Sequence, residues 1–397
     1  MPHLASDMTC TGCSACANIC PHSAIEMASD REGFLMPNIN PDLCVECKLC
    51  EKACPIVNSK DLKNPEPKDA IAFWDNESRT KSSSGGAFSA IARWILDKGG
   101  VVFGASWTNG FECNHKGCDS EDKLGDLRGS KYLQSDIKKT YIEARDALKD
   151  GKYVLFTGTP CQIAGLKSFL LKPYEKLVTV DIVCHGVPSN SLFYNYIEKL
   201  ESENENYSGI SGFEFRNLRG WGYAPTAKIS DGRKLTLTGI SNLYMKAFEK
   251  SAIFRNSCYD CHFNGLQRVG DITIADFWGL GQQGKPFHHD VTKGVSLVLV
   301  NTERGREIMR GMKDCLYEER SLKEAIKLNH NLVRSSIRPA NREEIIRAFN
   351  DSKMSLAEIN NKFDIVGLGF KSKIRDMLIT TGLFWHVKSV INKIRSL

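Results

Sequence analysis

Two stretches near the start of the chain carry cysteines at one and the same spacing, and this pattern constrains the fold more than any other feature. Each stretch reads C-x2-C-x2-C-x3-C-P, and the interval from Cys10 to Cys44 equals the interval from Cys20 to Cys54. Iron–sulfur proteins hold 4Fe–4S clusters with this run. The sequence therefore predicts two such clusters, and the predicted ligands are Cys10, Cys13, Cys16, Cys20, Cys44, Cys47, Cys50 and Cys54.

The ligands of each predicted cluster come from both stretches. Three closely spaced cysteines can reach three corners of one cube, whereas the fourth leads away and binds the other cluster. The expected sets are therefore Cys10, Cys13 and Cys16 with Cys54, and Cys44, Cys47 and Cys50 with Cys20. Gly12 gives the first loop backbone freedom beside its cluster. Structural zinc is the alternative, but zinc sites more often use two cysteine pairs that are far apart in sequence.

Composition places the chain among globular proteins of a reducing compartment. The 397 residues include 15 cysteines, and residues 1–10 lack the apolar segment of a signal peptide. A cytoplasmic location with metal-binding cysteines is therefore expected. The sequence contains no apolar run of about 18 residues, so it predicts no transmembrane helix.

The charge is unevenly distributed along the chain. Residues 1–57 carry three basic and seven acidic side chains, which gives −4, so the remaining residues must carry +10 to reach the net charge of +6. An acidic electron-transfer module on a basic body favours docking to a charged partner. An ordinary solvated surface explains the same numbers equally well. No helix-turn-helix, zinc finger or aromatic-basic stripe indicates nucleic-acid binding.

The pattern along the chain predicts an α+β or mixed α/β fold. A dicluster ferredoxin-like module (1–57) with a hairpin near 24–37 is followed by a linker (58–69), an α/β body in two parts (70–150 and 151–315) and a helical C-terminal tail (316–397). Strands are predicted at 70–74, 101–107, 153–157, 177–183, 213–216, 223–229, 233–238, 272–275 and 295–300, and helices at 87–98, 136–150, 161–171, 191–200 and 243–254.

Four segments of the body combine small or polar residues with chemistry-bearing side chains. Three are loops at predicted strand or helix ends, and they read SSSGG (82–86), GTPCQ (158–162) and DIVCHG (181–186). Ligands of open α/β sheets bind beyond the carboxyl ends of strands, and a serine–glycine turn opening a helix can hold a phosphate. The fourth segment is C-x-x-C-H at 258–262. Haem attachment is not favoured there, because it accompanies export.

These segments resemble the family of beta subunits of coenzyme F420 hydrogenases and dehydrogenases. The matching stretches are KSSSGGAFSAIARWILDKGGVVFGA (81–105), RGSKYLQSD (128–136), FTGTPCQIAGLK (156–167), DIVCHGVPS (181–189) and CYDCHFNGLQRVGDITIADFWG (258–279). The resemblance implies an iron–sulfur flavoprotein that passes electrons between its clusters, FAD and an organic two-electron acceptor or donor such as coenzyme F420. A flavin suits this position because it exchanges electrons singly with clusters and in pairs with substrates.

The family-like motifs supply the candidate site residues. The expected FAD contacts are Ser83, Ser84, Gly85, Gly86, Thr157, Gly158, Thr159 and Gln162, with Lys131, Tyr132 and Gln134 as further contacts. His185 and Asp276 are candidates for proton delivery in a two-electron reduction, since histidine titrates near neutrality. A purely structural hydrogen-bonding role of His185 is the alternative.

Cysteines outside the module suggest a third metal site. Cys161, Cys184, Cys258 and Cys261 come from separate motifs and could hold a third 4Fe–4S cluster, because the last two have ligand spacing. Buried free thiols are the alternative. The segment CNHKGC (113–118) is expected to form a surface loop rather than a zinc pair.

Two functional hypotheses follow for the whole chain. In the first, ferredoxin or a redox partner subunit exchanges electrons with the clusters, and the chain itself acts on an unknown organic substrate. In the second, the chain is a non-catalytic electron-transfer subunit of a larger complex. The basic, Trp-containing segment 370–397 is expected to pack on the domain or a partner, with peripheral membrane contact as the alternative.

Overall fold

The computed structural model of the chain describes all residues except 59–61, 109, 217–220, 223–224, 283–284, 368, 382, 385–386, 388–389 and 391–397. The helices are α1 Ala15–Ile19, α2 Leu49–Ala53, α3 Ala87–Leu96, α4 Thr140–Lys149, α5 Pro160–Leu170, α6 Asn190–Glu203, α7 Leu243–Glu249, α8 Glu303–Gly311, α9 Leu322–Leu328, α10 Arg342–Asn350, α11 Leu356–Phe363 and α12 Phe370–Thr380. The strands are β1 Ile25–Ser29, β2 Leu35–Ile39, β3 Ala70–Trp74, β4 Val101–Thr108, β5 Glu112–Cys118, β6 Val154–Gly158, β7 Leu177–Ile182, β8 Ile210–Glu214, β9 Thr226–Ile229, β10 Lys234–Thr236, β11 Ile272–Asp276, β12 Ser296–Val300 and β13 Leu316–Arg320. This mixed α/β class was predicted.

The N-terminal module repeats one loop-and-helix unit. Gly12 and Glu46 occupy equivalent positions in the two cysteine loops, and their φ angles are 63° and 54°. Ser14 and Lys48 repeat the left-handed conformation directly before α1 and α2, with φ angles of 60° and 58°. Non-glycine residues adopt this conformation only at an energetic cost, so the shared backbone is imposed by the cysteine loops. The predicted hairpin, β1 with β2, lies between the two units.

One eight-stranded sheet organises the body, in the order β13-β3-β12-β11-β7-β6-β4-β5. Strands β4, β6, β7 and β11 are parallel to one another. Strand β3 has the same direction, because β12 is antiparallel to both β11 and β3. The edge strands β5 and β13 run the opposite way. The carboxyl ends of five strands therefore lie at a single edge of the sheet, which is called the carboxyl edge below.

Helices cover both faces of this sheet. Phe156 points into a core formed with α4 and α5, whereas its neighbour Leu155 points to the opposite face, which α3 and α8 cover. The alternation follows from the two-residue period of a strand. Ala15 and Ala53 of the module belong to the same core as α4 and α5. The module is therefore built onto the α4–α5 face of the body and shares its hydrophobic core.

A second sheet, β10-β9-β8, belongs to an aromatic core. Phe193 of α6 packs edge-on against Tyr244 of α7 at 5.0 Å and lies 5.2 Å from Phe215. Helices α10 and α11 of the tail contribute buried residues to the same core. The tail is thus part of the folded body up to α11.

Two strands differ from the predicted organisation. The segment 113–118 lies in strand β5, where Cys113 and Cys118 are buried, so the predicted surface loop was wrong. Its pairing with β4 buries alternate residues, and polar residues between them disguised the pattern. The segment 316–320, predicted as part of a helical tail, forms edge strand β13 and pairs with β3. Its charged residues suit an exposed sheet edge.

The tail ends in a region that the structure covers only in part. Helix α12 spans Phe370–Thr380, and much of the predicted basic segment beyond it lies outside the described residues. Across the described ranges, no helix combines the length and the apolar character needed to cross a bilayer.

Candidate functional site

The first cysteine set surrounds a cavity beside the body. Cys10, Cys13, Cys16 and Cys54 line it together with apolar residues of the module. This is the ligand set that the spacing predicted. The backbone N–H of Gly12 donates to the sulfur of Cys10 at 3.4 Å. Burial raises the pKa of Cys16 to about 12, and a bound metal centre would displace the proton of this thiol.

The second cysteine set lies at the surface of the module. Cys20, Cys44, Cys47 and Cys50 line a second cavity, and Cys47 is the only exposed one of the fifteen cysteines. Leu43 and Val45 beside it are 48 % and 60 % exposed. Among the residues described, no group of three or more His, Cys, Asp or Glu side chains is placed to hold a single metal ion. Each four-cysteine set instead encloses a space.

A close contact joins the first set to helix α5 of the body. A Cβ atom on Gly165 would lie 2.9 Å from the sulfur of Cys13 and 2.9 Å from the hydroxyl of Tyr141. Cys161 lies four residues before Gly165 on the same face of α5, so one helical turn of about 5–6 Å separates it from this contact. Thiolates at Cys13 and Cys161 both raise the pKa of Tyr141, which burial already places well above its usual value. The hydroxyl of Tyr141 and the sulfur of Cys13 therefore meet at the same point of α5.

Cys161 is one member of a third cysteine set inside the body. It lies in the first turn of α5, Cys184 follows β7, and Cys258 and Cys261 follow α7. Burial raises the pKa of Cys258 to about 12, and the neighbouring thiols Cys261 and Cys161 act in the same direction. Burial likewise raises the pKa of Cys184 well above its usual value, with contributions from the other three. The four predicted residues are thus brought together.

The four thiols of this set combine partial accessibility with raised pKa values. All four are partly accessible, although burial is the main cause of every raised pKa. The hydroxyl of Thr159 lies 3.1 Å from the sulfur of Cys161. The donor set, four thiols with one pair at C-x-x-C spacing, is chemically suited to a 4Fe–4S cluster. The two module sets also consist of four thiols each, and each of these sets lines its own cavity.

A buried ion pair fixes two segments that carry the third set. Asp181, three residues before Cys184, accepts hydrogen bonds from the Arg268 guanidinium at 2.9 and 3.2 Å. Its other oxygen accepts from the backbone N–H groups of Val269 and Gly270. Both charged side chains are almost fully buried, at 0 % and 1 % exposure. The end of β7 is therefore tied to the segment that follows Cys261.

The predicted flavin loop 82–86 lies at the carboxyl edge, where several of its groups already have partners. The hydroxyl of Ser83 accepts from the N–H of Ser130 at 3.0 Å. A Cβ on Gly85 would lie 2.2 Å from the carbonyl oxygen of Phe73, so this glycine lets the loop pass between β3 and β12. Gly86 has a φ of 93° and begins α3. The hydroxyl of Ser84 donates to the carbonyl of Val295, the residue before β12, at 3.1 Å.

The predicted contacts after β6 also take part in local structure. Thr159 and Gln162 form the capping box of α5, and Gly158 packs closely against Gln162. The hydroxyl of Thr157 donates to the carbonyl of Phe103 at 3.0 Å. These bonds explain why this loop keeps its shape. Whether it also touches FAD stays a prediction.

The three additional candidates lie in different surroundings. Lys131 is half-buried and donates to three backbone carbonyls, and desolvation lowers its pKa to about 8. Tyr132 packs against Phe248 in the aromatic core, with ring centroids 4.8 Å apart. Gln134 donates to the carbonyls of Thr11 and Gly12 and thus holds the first cysteine loop. Gln134 therefore contacts the module.

A polar cavity adjoins the 82–86 loop. Its lining consists of Glu77, Ser78, Lys81, Arg93, Glu121, Asp122 and Arg128. Arg93 forms an ion pair with Asp75 at 2.6 Å, and Arg128 donates to Ser89 at 3.0 Å. Three cations and three carboxylates thus face one space beside a predicted phosphate-binding turn.

Both candidates for proton delivery are held by polar partners. His185 lies 2.8 Å from the amide oxygen of Asn331 and 3.2 Å from the hydroxyl of Ser251. Asp276 accepts from Arg216 at 2.5 Å and from the indole N–H of Trp221 at 2.7 Å. These contacts fix the orientation of both side chains. Their catalytic roles stay predictions.

Sequence reasoning missed His115, which supports the loop after β6. Its Nε2 lies 2.9 Å from the carbonyl oxygen of Thr157, and Nδ1 lies 2.8 Å from the hydroxyl of Ser135. The carbonyl requires a proton on Nε2, so Nδ1 accepts from the serine and the ring is neutral. Burial lowers the pKa of His115 to about 4. No local pattern marked this residue, because its partners lie on distant elements.

The neutral state of His115 makes stability depend on pH. The unfolded chain binds more protons than the folded chain between the lowered pKa of about 4 and the ordinary value of 6.5. Stability therefore falls as the pH falls through this window, by roughly 3 kcal/mol. We expect His115→Gln to lower the free energy of unfolding at pH 7. The difference in this free energy between the variant and the wild type should shrink towards pH 4.5. Urea unfolding at both pH values measures this difference, with exposed His3→Gln as control; a difference independent of pH would contradict this assignment.

Comparisons with known proteins agree with the motifs. Residues 9–57 match the 4Fe-4S dicluster domain, and residues 151–324 match the model that describes the C terminus of the beta subunit in coenzyme F420 hydrogenase/dehydrogenase. The chain thus carries a dicluster domain and the C-terminal domain of this family of coenzyme F420 hydrogenase/dehydrogenase beta subunits, as predicted.

Relatives of known name are distant. One is a subunit of the F(420)H(2) dehydrogenase from Methanosarcina mazei, 22% identical over 77% of this chain and 82% of its own length. A coenzyme F420-dependent sulfite reductase of Methanocaldococcus jannaschii is 25% identical over 80% of this chain. An uncharacterized polyferredoxin-like protein of the same organism is 33% identical over 17% of this chain. The chain spans about half the length of the last two, at 48% and 46%.

One solved structure is similar in outline. It is the F420-reducing NiFe hydrogenase complex from Methanosarcina barkeri, studied by xenon derivatization. The matched chain is 15% identical, with a TM-score of 0.45, and the match covers 77% of this chain and 94% of that chain.

Proposed function

We propose that the chain is an iron–sulfur oxidoreductase that relays electrons between a redox partner and an organic two-electron substrate. The observation that carries this proposal is the serial arrangement of three cysteine sets. The exposed set with Cys47 adjoins the buried set with Cys13, and α5 brings Cys13 within about one helical turn of Cys161. Electrons would enter or leave at the exposed set and reach the body through the buried set.

The third set would hold a third 4Fe–4S cluster. Four deeply placed thiols with raised pKa values are costly to ionise in isolation, but a bound cluster stabilises their thiolate form. Their position at the carboxyl edge supports this proposal, because α/β proteins bind their ligands there. The alternative, four buried free thiols, supplies no reason for separate segments to converge at one point.

FAD is the proposed mediator between the clusters and the substrate. When bound, FAD exchanges electrons singly with a cluster and in pairs with an organic molecule. Lys81 and Arg128 face the polar cavity and would hold its diphosphate, while the 82–86 loop would offer backbone N–H groups. The fit is confined to this charged cavity and loop, because the hydroxyls of Ser83 and Thr157 have partners within the protein.

The proposed redox partner docks at the exposed cysteine set. Leu43 and Val45 present apolar surface beside Cys47, and residues 1–57 carry a net charge of −4. A partner with a basic rim around an apolar centre would match this surface. The named relatives include a component of a dehydrogenase, so a second candidate function is that of an electron-transfer subunit which turns over only within a complex. A cytoplasmic location accords with both functions.

Flavin binding tests the proposed flavin site, and turnover of the isolated chain with artificial donors distinguishes the two functions. We expect the anaerobically purified chain to bind about one FAD, and Lys81→Gln and Arg128→Gln to weaken FAD retention at least tenfold, as measured by flavin fluorescence after gel filtration. Lys172→Gln, on the surface away from this cavity, serves as the matched control. A chain that binds no FAD, with its iron intact, would favour the electron-transfer subunit and contradict the proposed flavin site.

A further inference from the structure

Arg255 is a buried cation whose surroundings differ from those of three comparable arginines. Its side chain is 2 % exposed. Arg216, Arg268 and Arg342 each form an ion pair with a carboxylate, namely Asp276, Asp181 and Glu32. Within the described part of the chain, Arg255 forms no such pair. A buried charge without a counter-charge is unfavourable, so an anion close to Arg255 would stabilise it.

Neutral groups of the module and of the body occupy the hydrogen-bonding positions of this guanidinium. It donates to the carbonyls of Leu35 at 2.8 Å and Cys10 at 3.3 Å, and to the amide oxygen of Gln134 at 2.9 and 3.1 Å. Its carbon lies 5.0 Å from the ring centroid of Phe34. These contacts satisfy the N–H groups and fix the orientation, but they do not balance the charge.

The chain also holds Arg255 close to the third cysteine set. Its carbonyl accepts from the N–H of Cys258 at 3.0 Å, within one tight turn. Burial raises the pKa values of Cys10, Cys161 and Cys258, and the positive charge of Arg255 opposes this rise in each of them. A Cβ on Gly12 would lie 2.6 Å from the guanidinium, so only glycine at this position lets the first cysteine loop approach it. Arg255 thus lies between the first and third cysteine sets.

We propose that Arg255 is a positioning residue that bridges the buried module cluster and the cluster of the third cysteine set, and that its charge raises the reduction potentials of both. A cluster with thiolate ligands is anionic and gains a further negative charge on reduction, so a nearby cation favours the reduced state. The effect of Arg255 on a cluster in the third cysteine set rests on the proposed function above.

The test compares Arg255→Met with Arg342→Met in the full chain. Arg342 is an equally buried arginine at the same module–body contact, but Glu32 balances its charge. Its guanidinium carbon lies 5.9 Å from the same Phe34 ring. Potentials come from redox titration followed by electron paramagnetic resonance, after iron and sulfide analysis has shown the loading of each variant.

Arg255→Met is expected to lower the reduction potential of the buried module cluster by at least about 59 mV. This shift corresponds to a tenfold change in the one-electron equilibrium constant. The exposed cluster should keep its wild-type potential, and so should Arg342→Met when it is combined with Glu32→Gln, because this double variant removes both charges of the pair. Unchanged potentials in fully loaded Arg255→Met, or an equal shift in Arg342→Met/Glu32→Gln, would overturn the proposal. If Arg255→Met does not retain iron, Arg255→Lys provides the test, because it keeps the positive charge. A near-wild-type potential of the buried module cluster in Arg255→Lys supports a charge effect, and a shift of about 59 mV contradicts it.

The two proposals fail in different ways. A wild-type chain that lacks iron in the third set contradicts the proposed cluster there, and the iron analysis reports this directly. The potential of the buried module cluster still reports on Arg255 in that case, because the guanidinium contacts the Cys10 loop itself.

Discussion

Replacing Cys54 with serine is expected to abolish the buried module cluster and to leave the exposed one intact. Cys54 lines the cavity of Cys10, Cys13 and Cys16, although it belongs to the other cysteine run. The iron content should fall by about four atoms per chain, since one 4Fe–4S cluster loses a ligand. Cys315→Ser removes a cysteine outside all three sets and should leave the iron content unchanged.

The reciprocal variant shows which cluster is lost. Cys20→Ser should abolish the exposed cluster, because Cys20 lines the cavity with Cys44, Cys47 and Cys50. The cluster that remains after Cys54→Ser should react quickly with a soluble oxidant such as ferricyanide, and the one that remains after Cys20→Ser should react slowly. The opposite order of rates would mean that each run holds its own cluster, contrary to the arrangement described here.

Loss of Arg268 is expected to destabilise the body more than any surface change. Arg268→Met leaves the carboxylate of Asp181 fully buried without its counter-charge, and breaking a buried pair in this way costs about 3–5 kcal/mol. Because the pair ties β7 to the segment after Cys261, the iron of the third set should be lost as well. Urea unfolding and iron analysis measure the two effects.

The matched control is an arginine whose ion pair is exposed. Arg306 pairs with Glu303 at 2.7 Å, and their side chains are 51% and 72% exposed. Exposed pairs contribute about 0–1 kcal/mol, so Arg306→Met should change stability little. Equal losses in Arg268→Met and Arg306→Met would show that the buried pair does not hold the two segments together.

Features with a local signal could be predicted from the sequence. The cysteine spacing predicted both module sets, and β3 has the predicted bounds Ala70–Trp74. The first cysteine set mixes both runs because the duplicated units face each other, and this followed from the known logic of such runs. Strand β5 was missed because its identity depends on pairing with β4, and the polar residues between Cys113 and Cys118 resemble a loop.

The contacts between distant segments could not be predicted. Arg255 meets residues 121 and 245 positions away in the chain, and no periodic pattern records such proximity. The same holds for Gln134, which the motif indicated as a flavin contact but which holds the Gly12 loop. The motif glycine Gly85 also has a packing reason, since a side chain would overlap the backbone of β3. Family-like residues thus serve the docking of the module and the shape of the loops.

Iron and sulfide analysis of the anaerobically purified wild-type chain tests the central claim most directly. Three four-cysteine sets in series predict about twelve iron and twelve sulfide atoms per chain, at four per cluster. Cys184→Ser should then contain about eight of each. A wild-type chain with only about eight iron atoms, and the same content in Cys184→Ser, would contradict a third cluster and break the proposed path from the exposed set into the body.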